Sequence, residues 1–235
     1  MTSRNAAIER LNWVEIASKL DIEGYVLLPG LIGADAARAL ARGTENIENA
    51  RRVDLTSADL GRGQLIYSGT RLPDPFETWR AAFYRRLSVV ANRWSEILRV
   101  RREYPSELEE FSRRNQRAGQ VRAQSHLNRL GVEDYLSLHQ INVGTDVFPM
   151  QVVALLSEPG TDFLGGEFVM TEQRPRMQSR PIVVPLRFGD AAIITTAERP
   201  FKGTKGYYRV NLKHAITRVR WGQRIGVELT FHNAP

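Results

Sequence analysis

Residues 224–232 read RIGVELTFH and form the clearest strand pattern in the chain. Ile225, Val227, Leu229 and Phe231 occupy every second position. The alternate positions hold charged, polar or small residues, namely Arg224, Gly226, Glu228, Thr230 and His232. Successive side chains of a strand point to opposite faces, so this segment predicts one face packed on a core and one polar face. On a terminal strand of a jelly roll, such a polar inner face is where a ligand cavity lies.

Six further segments upstream have strand-like alternation with Gly and Pro punctuation. They are Tyr135–Ile141, Phe148–Ser157, Glu167–Glu172, Ile182–Pro185, Ala191–Thr195 and Tyr207–Arg218. No helical pattern separates them, which excludes a doubly wound parallel sheet and indicates a sandwich, a jelly roll or a barrel.

The N-terminal half reads mainly as helix. Helices are predicted over residues 6–20, from Ala34 onward, over 76–101 and over 106–117, with a short strand at 24–29 and a loop over 55–74. The third helix carries an apolar stripe that includes Trp79, Phe83, Leu87 and Trp94, which must be covered by other parts of the protein. We therefore predict a single domain, residues 1–235, in which 1–120 form a mainly helical buttress and 121–235 form the β core.

Composition limits the class of protein and of site. The 235 residues are 42% hydrophobic and 25% charged, as in an ordinary folded protein. No apolar run is long enough for a bilayer and the start lacks an apolar leader core, so we expect a soluble, cytoplasmic protein with no membrane partner. Cysteine is absent, which excludes disulfides, thiolate nucleophiles and cysteine metal sites. The minimal motifs of Rossmann, P-loop, hydrolase and zincin sites are also missing.

The net charge of +7 is concentrated in one stretch. Residues 76–130 hold 12 Arg and six Glu, about as large an excess as that of the whole chain. Such a surplus has two interpretations: an electrostatic surface for nucleic acid or another polyanion, or the solvated face of helices.

Four histidines are the only nitrogen ligands available to a metal. His139 lies near a strand end, His214 lies on a strand 75 residues later, and Arg224 follows on the polar face of the last strand. This layout is typical of a non-heme iron oxygenase, in which histidines hold Fe(II) and a guanidinium pairs with the far carboxylate of 2-oxoglutarate. Two structural histidines are the alternative. His126 is expected in a loop before the first core strand, and His232 in a structural position.

Several long blocks resemble a bacterial branch of the Fe(II)/2-oxoglutarate oxygenase superfamily that is related to oxygenases of damaged nucleic acid. The blocks are GYVLLPGLI (24–32), VANRW (90–94), DYLSLHQ (134–140), residues 147–180, VVPLRFGDA (183–191), residues 199–220 and LTFHNA (229–234). Two shorter pieces, LNR with LSLHQ and LTFHNA, are similar to AlkB-type demethylases.

The resemblance implies a mostly β, cupin-like jelly roll of the double-stranded β-helix type, buttressed by N-terminal α-helices. It implies Fe(II) and 2-oxoglutarate as cofactors and dioxygen as cosubstrate, with no catalytic residue beyond the metal site. His139 and His214 match the iron histidines, and Arg224 matches the 2-oxoglutarate anchor. Asn128 matches a position that contacts 2-oxoglutarate, although Leu130 stands where the AlkB-type enzymes have tyrosine.

One residue departs from the family pattern. The pattern His-x-Asp places a carboxylate two residues after the first histidine, whereas this chain has Ile141 there, and isoleucine has no ligand atom. Asp146 is the expected substitute, provided that the turn through Gly144 folds inward.

Three arginines in the segment TEQRPRMQSR are candidates for gripping an anionic substrate, with loop-closing hydrogen bonds as their alternative role: Arg174, Arg176 and Arg180. Glu228 shares a strand face with Arg224, so we expect it near the substrate and paired with Arg224.

The sequence therefore predicts a dioxygenase of hydroxylation or oxidative demethylation type with a divergent metal site and an unassigned substrate. The alternative is a catalytically impaired binding module that keeps the fold and binds nucleic acid. The oligomeric state is left open.

Overall fold

The computed structural model describes residues 5–44, 47, 49–68 and 72–235. Its helices are α1 (Asn5–Glu9), α2 (Trp13–Glu23), α3 (Ala34–Gly43), α4 (Phe76–Ile97) and α5 (Leu108–Arg117). The single helix expected over residues 6–20 is two helices, because the Asn12 side chain accepts a hydrogen bond from the Glu15 backbone N–H and starts α2 there. Gly24, with φ of 77°, ends α2 in the left-handed conformation.

The strands are mostly short. They are β1 (Tyr25–Leu28), β2 (Arg51–Asp54), β3 (Gly61–Arg62), β4 (Gln64–Tyr67), β5 (His126–Leu130), β6 (Tyr135–His139), β7 (Met150–Leu155), β8 (Phe163–Gly165), β9 (Phe168–Gln173), β10 (Arg180–Val184), β11 (Ala191–Thr195), β12 (Glu198–Gly203), β13 (Gly206–Ile216), β14 (Val219–Gly222) and β15 (Arg224–Leu229).

Two antiparallel sheets face each other. The seven-stranded sheet has the order β1-β11-β7-β15-β5-β4-β2, and the other follows β10-β9-β13-β6-β3, with β12 beside β13. One apolar cluster joins their inner faces, with Val153, Leu155 and Ile194 from the first sheet and Met170 and Leu212 from the second. The predicted fold class, a mostly β jelly roll with N-terminal helices, is confirmed.

A second apolar cluster fills the space between the helices and the outer face of the seven-stranded sheet. The stripe predicted on α4 faces this cluster, and Trp79, Phe83, Leu87 and Trp94 are all buried there. Outward residues of β7 and β15, including Val152 and Val227, complete it from the sheet side. The helices therefore cover one face of the β-helix.

The first 120 residues also contribute strands that the sequence analysis missed. The segment expected as a loop over 55–74 contains β3 and β4, and β4 lies between β5 and the edge strand β2 of the large sheet. These strands are two and four residues long, which is too short to show an alternation of apolar and polar residues. Pairing with neighbouring strands stabilises them. The expectation for His126 was wrong: it begins β5 and is 3% exposed, since β5 pairs with both β4 and β15.

Candidate metal centre

A line of polar side chains crosses the otherwise apolar space between the two sheets. It comprises His126, Asn128, Gln151, His214, Arg224 and Glu228, each buried. β5, β7 and β15 are neighbours in the large sheet, and β13 faces them from the other sheet. Buried polar groups are costly unless they are paired, so a concentrated group of them marks a site.

His139 and His214 lie opposite each other on paired strands. The register between β6 and β13 shifts at this point: His214 pairs with His139, but Ile216 pairs with Leu136. This bulge lets Leu136 and His139, three residues apart, both approach the interior. The two imidazole rings are 4.2 Å apart between centroids.

His139 is held in the form that a metal requires. Its Nδ1–H donates to the Ser137 carbonyl oxygen at 2.9 Å, which leaves the Nε2 lone pair free. Burial, reinforced by the nearby charge of His214, lowers the pKa of His139 to about 4. The ring is therefore neutral at pH 7.

Glu228 brings a carboxylate between the histidines. Its Oε2 lies 3.4 Å from His214 Nε2, and Gln151 Nε2 donates to the same oxygen at 3.1 Å. Its Oε1 lies 3.8 Å from His126 Nε2 and 3.5 Å from Asn128 Nδ2. Burial by itself would raise the pKa of Glu228, but the His214 hydrogen bond and the surrounding histidines outweigh it and hold the pKa well below its usual range.

Arg224 lies four residues before Glu228 on the same strand face. Its Nε donates to the Gly166 carbonyl oxygen at 2.8 Å and its Nη1 to Asn128 Oδ1 at 2.7 Å. Burial lowers its pKa to about 10, so the guanidinium stays charged at neutral pH. In the described part of the chain, no carboxylate forms an ion pair with it.

A cavity of about 230 Å³ reaches Arg224, with Phe163, Phe168 and Val184 among its lining residues. Phe168 also stacks on the His214 ring at 5.7 Å between centroids, so the cavity and the histidines share one wall. A Cβ on Gly226 would lie 2.8 Å from Arg224 Nη1, and one on Gly166 would lie 2.9 Å from Arg224 Cδ. The two glycines make room for the guanidinium.

The structure brings four of the residues singled out in the sequence, Asn128, His139, His214 and Arg224, to one region. Glu228 lies there as well, but its expected pairing with Arg224 is not what the geometry shows, because histidines take both carboxylate oxygens. The reason is register: Glu228 is opposite His126, whereas Arg224 is opposite Leu130, four residues further along β5.

Other predicted residues lie in different surroundings. Ile141 is buried just after β6 ends. Asp146, the expected substitute ligand, pairs instead with Arg114 at 3.1 Å. Among the candidate substrate arginines, Arg174 pairs with buried Glu172 and Arg180 with Glu23, while Arg176 is exposed.

The role of Gln151 and the position of His126 were not predicted from the sequence. Gln151 interrupts the apolar run Met150–Leu155 at an inward position. Its Nε2 donates to Glu228 Oε2 and lies 3.2 Å from His214 Nε2. A lone amide in a fully buried strand was the available signal.

The donor set fits a divalent metal. Ligand atoms of His139, His214 and Glu228 all lie within 4.8 Å of one another. Two imidazoles and one carboxylate are the ligands of non-heme iron sites. The 3.4 Å between His214 Nε2 and Glu228 Oε2 would let one cation contact both atoms. The buried, carboxylate-free Arg224 likewise fits an anionic cosubstrate.

The fold is that of 2-oxoglutarate-dependent oxygenases. It is similar to a prolyl-4-hydroxylase from Pseudomonas putida, with a TM-score of 0.55 and 12% identity over 95% of this chain and 99% of that one. It is also similar to an oxidoreductase of the 2OG-Fe(II) oxygenase family from Burkholderia pseudomallei, with a TM-score of 0.53 and 16% identity over 96% and 93% of the two chains.

The chain belongs to the Oxygenase-NA family, described as an oxygenase catalysing oxidative methylation of damaged DNA, which it matches over residues 63–234. It is also 36% identical over 158 residues to the uncharacterized proteins Rv2227 and MT2286 of Mycobacterium tuberculosis, covering 67% of this chain and 68% of each relative. The resemblance drawn from the sequence is confirmed. So is the expectation of Fe(II) and 2-oxoglutarate as cofactors, at the level of family and fold.

None of the helices in the described residues is both long and apolar enough to span a membrane.

Proposed function

We propose that this protein is an Fe(II)- and 2-oxoglutarate-dependent dioxygenase of hydroxylation or oxidative demethylation type, and that its substrate is a nucleic acid. The family and the fold support the oxygenase class. The arrangement of the candidate residues supports the site, because His139 and His214 lie on paired strands of one sheet and Arg224 lies on a strand of the other sheet.

The observation that carries the proposal is the environment of Arg224. A buried cation is expensive unless it is paired, and in the described residues Arg224 has only the neutral acceptors Gly166 and Asn128. Both hydrogen bonds fix its orientation, and the adjoining cavity gives access to a small ligand. A carboxylate of 2-oxoglutarate is the partner that a guanidinium in this position recognises.

The residues divide the work by their chemistry. His139 and His214 would hold the metal, Arg224 would bind the distal carboxylate, and Asn128 orients the Arg224 guanidinium. When bound, Fe(II) and 2-oxoglutarate supply the activation of dioxygen. The apolar walls formed by Phe168 and Leu155 exclude water around the cosubstrate.

A nucleic-acid substrate is supported by the family description and by groups beside the polar line. The half-buried Tyr67 ring lies 5.4 Å from the His126 ring, and the exposed Arg51 guanidinium lies 4.1 Å above Tyr67. Aromatic and arginine side chains together bind bases by stacking and phosphates by charge.

Ile141 favours the second candidate, a binding module that keeps 2-oxoglutarate affinity but has no turnover. It leaves the family's carboxylate position without a ligand atom. Both candidates bind 2-oxoglutarate at Arg224. They differ in that the binding module does not convert it to succinate.

The test is calorimetric titration of 2-oxoglutarate, with Mn(II) present in place of Fe(II), into the wild-type chain and Arg224→Ala. We expect the variant to lose about 1.5–3 kcal/mol of binding free energy, the range for hydrogen bonds to charged groups. Arg113→Ala, at an exposed position of α5, is the matched control and should bind as wild type does. Equal affinity in wild type and Arg224→Ala would remove Arg224 from the site.

Succinate release under air with Fe(II) then separates the two candidates. The dioxygenase releases succinate, and a methylated single-stranded oligonucleotide raises the rate. The binding module binds 2-oxoglutarate and releases none. Binding of the oligonucleotide that does not weaken as salt rises would contradict the nucleic-acid assignment.

A further inference from the structure

Glu228 has no counterpart in the metal site that the family pattern implies. That pattern takes its carboxylate from the strand of the first histidine, two residues later, where this chain has Ile141. Ile141 is buried and aliphatic, and Asp146 is engaged by Arg114. Neither residue supplies an oxygen to the space between the histidines.

The carboxylate that does lie in this space comes from the opposite sheet. Glu228 is 1% exposed, and its Oε2 is 3.4 Å from His214 Nε2. Its other oxygen faces the amide of Asn128 and the ring of His126. One oxygen is thus directed at the histidine pair while the second is braced by β5, the arrangement that orients a carboxylate ligand.

Among the described residues, only histidines form ion pairs with Glu228, and no lysine or arginine does. His139 donates its Nδ1–H to the Ser137 carbonyl oxygen, so its Nε2 lone pair is free. A buried carboxylate that faces only imidazole rings and side-chain amides is stabilised by a bound cation, because an uncompensated buried charge is strongly unfavourable.

Three buried atoms in and beside the cluster have no hydrogen-bond partner. They are the side-chain oxygen of Gln151, His126 Nε2 and His214 Nδ1. The Gln151 amide nitrogen faces His214 Nε2 and Glu228 Oε2, so this amide lies against both donor atoms. Exchanging its nitrogen and oxygen would present a second hard oxygen to a cation there.

We infer that Glu228 replaces the missing aspartate as the carboxylate ligand of the metal, so that the site is His139, His214 and Glu228 from strands β6, β13 and β15. The inference rests on the proposed function and gives it a complete ligand set. It also places a metal ligand four residues after the cosubstrate anchor on one strand face. Ile141 then fills space beside the site without leaving the metal short of a ligand.

Co(II) is the probe, titrated into the metal-free full-length chain and followed by its visible absorption and by equilibrium dialysis. We expect one Co(II) per chain in wild type and at least a tenfold weaker affinity in Glu228→Gln, because loss of even a supporting contact costs 10–100-fold. Asp146→Asn is the matched control, a carboxyl-to-amide change at the other candidate, and should bind as wild type does. Ile141→Asp should change the affinity by less than about threefold.

The outcomes distinguish failure of the Glu228 assignment from failure of the proposed function. Wild type that binds one Co(II) through His139 and His214, with Glu228→Gln unchanged and Ile141→Asp tighter, overturns the role of Glu228 but leaves the proposed function standing. Wild type that binds no Co(II) overturns both. A crystal structure of the wild-type Co(II) complex decides the matter if Glu228→Gln fails to fold. A Glu228 oxygen within about 2.2 Å of the ion supports the inference, and a carboxylate turned away from the ion overturns it.

Discussion

The two faces of β15 have opposite characters although they alternate along the same six residues. The outward face consists of Ile225, Val227 and Leu229, which pack into the apolar layer beneath the helices. The inward face consists of Arg224, Gly226 and Glu228. Arg224 is a buried cation and Glu228 a buried anion, and Gly226 between them has no side chain and leaves room for the guanidinium. Arg224 and Glu228 do not pair with each other; each faces other groups.

One face of β15 therefore contributes to the stability of the fold, and the other face contributes to ligand binding. An apolar face lowers the free energy of folding in proportion to the area it buries. The polar face costs folding free energy unless ligands of opposite charge complete it, an anion at Arg224 and a cation at Glu228. Changes on the outward face should therefore act on unfolding, and changes on the inward face should act on ligand affinity.

The largest effect is expected from removing the cover of the outward face altogether. A chain that begins at Val121 lacks helices α1 to α5 and strands β1 to β4, so the outer apolar cluster and both edges of the large sheet lose their partners. We predict that this fragment is insoluble or molten, measured by near-ultraviolet circular dichroism and thermal unfolding. A soluble fragment with a cooperative melt would show that residues 121–235 form a domain by themselves.

The helix stripe and the last strand could be predicted because each follows one period over many residues. The α4 stripe repeats every three to four residues, and β15 alternates over its whole length. The strands β3, β4 and β8 could not be predicted, since they are two to four residues long and depend on partners distant in sequence. His126 was misplaced for that reason.

The candidate site could be proposed from the sequence where the family pattern has fixed spacing. His139, His214 and Arg224 follow that spacing; in the structure His139 lies against His214, and Arg224 contacts Asn128. The surroundings of Glu228 could not be derived, because they depend on which residues of β5, β7 and β13 stand level with it across two sheets. Asp146 was favoured only by its nearness in sequence to Ile141.

A smaller effect is expected from one substitution on the outward face of β15. Leu229→Ala removes a side chain that is 1% exposed and leaves a cavity in the outer cluster, so it should lower the free energy of unfolding by about 2–5 kcal/mol. Affinity for 2-oxoglutarate should stay within about twofold of wild type, because Arg224 lies at the other end of the strand and on its other face. Urea unfolding and calorimetry measure the two quantities. A large loss of 2-oxoglutarate affinity at intact stability would mean that the two faces are not independent.

The smallest change in stability, and the most specific test of the inward face, is expected from Gly226→Ala. The added Cβ would lie 2.8 Å from Arg224 Nη1, 2.9 Å from Asn128 Oδ1 and 3.1 Å from the Ala154 carbonyl oxygen. The guanidinium and the amide can give way, whereas the backbone oxygen moves less, so overpacking should cost about 1–3 kcal/mol at most. Displacing Arg224 also breaks its hydrogen bond to Asn128, and affinity for 2-oxoglutarate should fall by about tenfold or more because the anchor is misplaced. Co(II) affinity should fall less, since Glu228 keeps its contacts with Gln151 and His214.

Calorimetry with 2-oxoglutarate, Co(II) titration and urea unfolding of the Gly226→Ala variant measure the two affinities and the free energy of unfolding. If Co(II) affinity falls as much as 2-oxoglutarate affinity, the cation at Arg224 and the carboxylate at Glu228 do not bind their ligands separately.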